Sequence, residues 1–184
     1  EELHRNFSIM VLLPSMAAAM TATVISRALF GRDTVFDIPD LQLLPLQHYG
    51  IVVLVALVAG LAGVVFNKGL LNIGRFYSFP IFKNQLHKII FALLIAGVLG
   101  FYLPEVLGGG NNLINHLAKA PVTLQMLVLF LVGKYLFTLI SYGCGVPGGF
   151  FLPMLVIGAL TGSICANVLV SLGLIESIYA ANIV

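Results

Sequence analysis

An all-helical, multi-pass membrane protein is the fold class the sequence predicts, and three observations predict it. Hydrophobic residues make up 60% of the chain and charged ones only 9%, with a mean hydropathy of +1.07. A water-exposed domain of this size needs far more charge on its surface. The apolar residues come in blocks of the length a bilayer crossing requires, roughly 20 residues. No block shows the period-two alternation of a barrel strand. The net charge of +2 is small and dispersed, so no basic tail or stripe suits a nucleic-acid partner.

The chain opens on "EELHRNF" without an initiator Met and stops within "IESIYAANIV", and we read it as a piece of a longer polypeptide. Residues 1–5 read as the end of a preceding helix. Residues 6–30 form a first span, with Pro14 in its first turns and a small-residue face of Ala17, Ala18, Ala19 and Ala22. Residues 31–47 hold Asp33, Asp37 and Asp40 with two prolines, a polar loop outside the bilayer. Residues 48–76 are a second span, in which Ala56, Gly60 and Gly63 mark a helix-packing face. A connection over 77–87 leads to a shorter span over 88–104. "GGGNNLINHLAKAP", within 105–121, is a glycine turn with a short amphipathic helix too short to cross. Asn111, Asn112 and His116 read as part of that external turn, and Glu105 as a solvated helix end. Spans over 122–142 and 150–172 flank a loop at 143–149, and 173–184 begin another helix. Cys144 and Cys165 lack metal-ligand spacing and read as small buried side chains.

Lys68, Arg75, Lys83 and Lys88 surround one connection, whereas the 31–47 loop is acidic. The positive-inside rule places the first in the cytoplasm, with Arg5, Glu1 and Glu2 on the same side, and the second outside.

The loop "YGCGVPGGFFLP" carries the chemistry. From Tyr135 to Ile175 there is no Asp, Glu, Lys, Arg or His. Irregular backbone at membrane depth survives only where its polar groups are satisfied, by protein or in a polar cavity. A helix beginning near Phe150 leaves free N–H donors and about half a positive charge at its start. Pro153 fits the first turn, Pro147 holds Val146 extended, Gly148 and Gly149 let backbone come close to a ligand, and Gly145 supports the loop. Bare amides at Gly149, Phe150 and Phe151 suit a small anion that must bind and leave. The alternative is a hinge between helices with no ligand. Lys134, isolated between Pro121 and Ile175, must snorkel, pair or face a wet cavity.

"GVPGGFFLPM" resembles the Gly-x-Phe-x-Pro anion-filter motif of the CLC chloride channel and proton/chloride antiporter family, with Gly149, Phe151 and Pro153 at the matching positions. "EELHRNF", "GLAGVVFNKGL" and "LGGGNNLI" resemble further stretches of that family in the same order. The likeness runs from the first residue to at least Gly162. It implies a partial CLC inverted-repeat fold with tilted and broken helices, covering the second half and the join to the first. It implies a homodimer with one pathway per subunit, the first span facing the second protomer, in a bacterial inner membrane. The backbone amides of Phe150 and Phe151 match the anion ligands, and Lys134 matches a position that is often basic, with a structural or field-shaping role. Glu2 matches the internal proton-transfer glutamate; from the residues alone, Glu1 and Glu2 read as a helix-end cap. The family's gating glutamate, serine loop and late tyrosine match nothing in this chain.

An intramembrane enzyme would need a nucleophile–base or metal constellation at depth, and the Asp and His residues form neither. A cation-coupled transporter would place carboxylates near the midplane. The sequence therefore reads as a proton-coupled chloride antiporter, with no enzyme activity, cofactor or metal, chloride and protons as cargo, and the lipid bilayer as its solvent. The alternatives are a chloride channel without coupling, or a structural membrane piece.

Overall fold

The computed structural model describes residues 9–31, 45–119 and 122–175. All regular structure among them is helical, and five helices are long and apolar enough to cross a membrane. The chain divides into two units, Glu1–Val35 and Phe36–Val184.

The first unit contains α1, Ile9–Phe30. Its hydroxyls bond back into their own helix: Ser15 Oγ donates to Val11 O at 2.8 Å, Thr21 Oγ1 to Ala17 O at 2.8 Å, and Thr23 Oγ1 to Ala19 O at 2.7 Å. Polar side chains on a lipid-length helix thereby avoid presenting bare donors to hydrocarbon. Gly31, at φ 90°, closes the helix, its N–H donating to Arg27 O at 3.2 Å.

The second unit begins, in its described part, with a 3-10 turn, Leu46–His48, leading into α2, Tyr49–Phe76. At 1.5 Å per residue, its 28 residues reach about 42 Å, more than the roughly 30 Å hydrocarbon core, so α2 spans with tilt. The packing face expected at Gly60 and Gly63 is not used within the unit: nothing lies within 4 Å of a Cβ at either. The close approach is made lower down, at Gly69 and Gly143, where α2 meets α5. A Cβ on Gly143 would lie 2.6 Å from Ile73 Cγ1 and 2.6 Å from Tyr77 Cε2. Small-residue spacing shows which face can be approached, and only the fold shows which face is.

A 3-10 turn at Pro80–Phe82 connects to α3, Gln85–Tyr102, which puts Lys88 in the first turn of the helix rather than at its boundary. Pro104 ends it by excluding helical geometry at Leu103 (φ −144°, ψ 62°). The Gly108–Gly110 run then opens α4, Asn111–Lys119. Asn111 and Asn112 thus form its first turn and His116 lies inside it, which corrects the reading of all three as turn residues. The backbone around Gly110 accounts for this, since Ile114 N–H donates to Gly110 O at 3.1 Å and starts the helix there.

The core sits between α5, Leu124–Gly143, and α6, Phe151–Ser171. Val106, Leu113, Ile114, Leu127, Phe130, Val156, Ala159 and Leu160 form one buried cluster. In lipid this cluster stabilises through close packing more than through water exclusion. Half of the apolar stretch of α6 is buried within the chain, against 28% of that of α5, so α6 is the helix around which the second unit is organised. It ends in a Schellman motif, with Gly173 at φ 70° and Leu174 N–H donating to Leu169 O at 3.0 Å.

Candidate functional site

The site lies where α5 stops and α6 starts. Beyond Gly143 the chain turns through Cys144 and Gly145, and runs irregularly to Phe150. The left-handed residue of the turn is Gly145, at φ 78°; Gly148 and Gly149 do not have positive φ. Gly149 matters for space instead, since nothing lies within 4 Å of where a Cβ would stand.

Phe150 is the N-cap of α6 and makes no side-chain cap bond; its carbonyl accepts the first helical bond, from Met154 N–H at 3.0 Å. The amides of Phe150 and Phe151 find no acceptor among the described residues, and Pro153 at the third helical position has no N–H to satisfy. An uncapped helix start carries roughly half a positive charge. It opens on a cavity of about 160 Å³ lined by Gly148, Gly149, Phe150 and Pro153 from the loop and helix, and by Phe137, Thr138, Ser141 and Tyr142 from α5. No charged side chain lines it. Its volume is below the roughly 300–1,000 Å³ of sites for organic ligands, and it has room for a small ion with a few waters. A groove of about 770 Å³ along α3 is larger, but it is lined by one helix face that is almost wholly apolar and offers an ion nothing.

Further lining residues were not singled out from the sequence as part of the site. Gly108, from the glycine run 40 residues earlier, lines the same cavity. Thr138, Ser141 and Tyr142 reach it together because positions three and four apart share a helix face; that spacing just before the glycine turn was the available signal.

The turn is held from the far side by the connection between α2 and α3. Tyr77 Oη donates to Ile140 O at 2.8 Å, and Gln85 Nε2 donates to Cys144 O at 2.5 Å. The Gln85 bond satisfies a carbonyl that the end of α5 would leave bare, whereas Ile140 O also accepts from Cys144 N–H at 3.2 Å. Tyr77 packs edge-on against Phe82 at 4.9 Å and Lys88 Nζ lies 5.9 Å from its ring centre. Burial, with the Cys144 thiol as a lesser contribution, pushes the Tyr77 hydroxyl up to about 12. Cys144 is a free, buried thiol whose Sγ donates to Ser141 O at 2.9 Å.

Lys134 meets its burial through backbone carbonyls. It is only 1% exposed, so it does not snorkel, and it pairs with no carboxylate among the described residues, whose one acid, Glu105, is exposed. Its Nζ donates to Val106 O at 2.9 Å and to Gly108 O at 2.7 Å. Gly110, at φ 93°, makes room for this arrangement, because a Cβ there would stand 2.6 Å from Val156 Cγ2 and 3.3 Å from Lys134 Nζ. Glu2, the residue matched to proton transfer, lies outside the described residues.

The geometry is joined by a direct comparison with known proteins. The family model for the voltage-gated chloride channel matches residues 1–184. The chain belongs to the voltage-gated chloride channel family. Its relatives include an H(+)/Cl(-) exchange transporter ClcA from Vibrio campbellii, 33% identical over 161 residues, covering 85% of this chain and 34% of the relative. The ClcA of Vibrio cholerae is 31% identical over 149 residues, covering 79% and 32% respectively. An uncharacterised protein of Methanocaldococcus jannaschii is 28% identical over 166 residues, covering 90% of this chain and 42% of its own length. The chain thus spans about a third of the length of the Vibrio relatives. Membership in this chloride channel family, together with five lipid-length helices, makes it an integral, multi-pass membrane protein.

Proposed function

We propose that the chain is part of a chloride transporter in which the backbone amides of Phe150 and Phe151, with Gly149 beside them, bind the anion at the start of α6. The observation that carries this reading is the uncapped helix start opening on an uncharged cavity of about 160 Å³. Dipoles and amides attract an anion without a full charge, so the ion is selected and still released. Gly145, Pro147, Gly148 and Pro153 shape that helix start. The transporter works as a homodimer in a bacterial inner membrane. Bromide soaked into crystals of the full-length parent should give anomalous density within hydrogen-bond reach of the Phe150 or Phe151 nitrogen. Density confined to side-chain cations would refute the amide site.

Coupling to protons is the finer reading, supported by the H(+)/Cl(-) exchange that the names of the Vibrio relatives state and by Glu2. A carboxylate can take up a proton from water and pass it inward where partial burial raises its affinity. In liposomes holding the full-length parent, Glu2→Gln should abolish chloride-driven proton uptake and leave chloride flux largely intact. Proton uptake at the parental rate would remove Glu2 from the pathway. The family description also supports a second reading, a chloride channel without coupling. A parent that conducts chloride and moves no protons would establish it.

A further inference from the structure

We propose that Gln85 is a positioning residue for the anion cavity: its amide fixes the turn that ends α5, and so sets the width between Ser141 and Tyr142 on one wall and Phe150 on the other. The inference rests on the reading of the cavity as an anion site, and deepens it by naming what tunes that site to the size of the ion.

The loop between the two helices does not hold that width by itself. Val146 to Gly149 make no backbone–backbone hydrogen bond among the described residues, so the loop takes its shape from its two ends. One end is the start of α6, and the other is the turn through Cys144 and Gly145. The two walls also meet directly, with the Tyr142 ring edge-on to that of Phe150, centroids 5.8 Å apart and planes at 89°. A shift in the end of α5 therefore reaches the residue whose amide faces the ion.

The turn is anchored by a segment that lines no part of the cavity. Gln85 is the first residue of α3, and its Nε2 donates to Cys144 O at 2.5 Å. Its amide also lies along the backbone of Gly145, where a Cβ would stand 3.1 Å from Nε2 and 3.6 Å from Oε1. Gly145, at φ 78°, is where the chain changes direction, and its N–H donates to Tyr142 O at 3.3 Å. The grip thus falls on the peptide that carries Tyr142 into place.

Apolar packing supports the same grip independently. Cys144 shares a buried cluster with Tyr77 and Phe82, against which Ile73, Phe91 and Ala92 pack. Its side chain is held by that cluster and its carbonyl by Gln85, while its Sγ donates to Ser141 O on the cavity wall. Gln85 carries no charge, so losing its amide leaves the field at the start of α6 as it is and changes the geometry alone. A loosened cradle fits a small ion less well and accepts a larger one more easily, so the loss should appear as altered discrimination between ions.

The test is chloride and iodide binding by titration calorimetry on the detergent-solubilised full-length parent, with melting in halide-free buffer as the measure of folding. Gln85→Met keeps the length of the side chain and removes the donor. It should weaken chloride binding about five-fold, the order of one lost hydrogen bond, and change iodide binding by less than about two-fold. The preference then moves toward iodide, or iodide binding first appears where the parent excludes it. Gln85→Asn, whose amide stops one methylene short of Cys144 O, should do the same. A merely structural glutamine would lower the melting temperature and leave both Kd values of the folded variant unchanged. That result overturns the proposal, and so does an equal loss for both ions. If Gln85→Met does not fold, Gln85→Asn carries the test; if neither folds, Gln85 serves folding and the proposal falls. A parent that binds no chloride overturns the anion reading and this inference with it, whereas a binding parent with an unchanged preference in the variants overturns this inference alone.

Discussion

Gly143→Ala should destabilise the second unit, and the size of the effect follows from two distances. The added methyl would stand 2.6 Å from Ile73 Cγ1 and 2.6 Å from Tyr77 Cε2. Ordinary contact between carbons is roughly 3.5–4.0 Å, so either partner must retreat by about 1 Å. The Tyr77 ring has little freedom to do so: it is 4% exposed, tied through Oη to Ile140 O, and packed edge-on against Phe76, Phe82 and Phe91. Overpacking of this kind costs about 1–3 kcal/mol. Losing the tyrosine bond would add about 1 kcal/mol. Replacing a glycine inside a helix returns at most about 1 kcal/mol, and less at Gly143, the last residue of α5. The net expectation is a loss of about 1–3 kcal/mol, read as a lower melting temperature. Thermal unfolding of the solubilised full-length parent measures it. Gly149→Ala is the matched control, because nothing lies within 4 Å of its added Cβ. It should melt with the parent while reducing bromide density at the start of α6. A Gly143→Ala variant as stable as the parent would refute the picture of a rigid clamp beneath the turn.

Tyr77→Phe should cost at most about 1 kcal/mol by removing the hydroxyl bond to Ile140 O, which keeps the Cys144 N–H at 3.2 Å as its other donor. Because the folded Tyr77 hydroxyl is pushed from 10.0 to about 12, its contribution is complete below pH 10 and is lost as pH rises through 12. The difference in melting temperature between parent and Tyr77→Phe should therefore shrink between those values, and a constant difference would count against burial of the hydroxyl. Gln85→Ala removes the donor to Cys144 O and should loosen the turn, read as weaker anion binding with a small stability change. For orientation, a cysteine replacing Ser78 should label from the cytoplasmic side and one replacing Glu105, across α3, from outside; the opposite pattern would overturn the charge-based topology.

The sequence by itself determined the class of the molecule and where the turn and the start of α6 lie. Lipid-length apolar blocks can only be helices or barrel strands, and without period-two alternation they are helices. The start of α6 was equally legible, because capping, proline placement and free amides depend on residues close together in the chain. The tertiary structure decided everything that depends on residues far apart. Lys134 looked like a stray charge in an apolar block until the Val106 and Gly108 carbonyls, 28 and 26 residues away, were brought to its ammonium. Tyr77 and Gln85 looked like parts of a connecting loop until they were found on the carbonyls that end α5, 63 and 59 residues on. Gly60 and Gly143 were both small residues on helices, and packing chose between them. Local backbone chemistry is written in adjacent residues, whereas a buried charge or a close helix contact is set by which distant backbone comes to meet it.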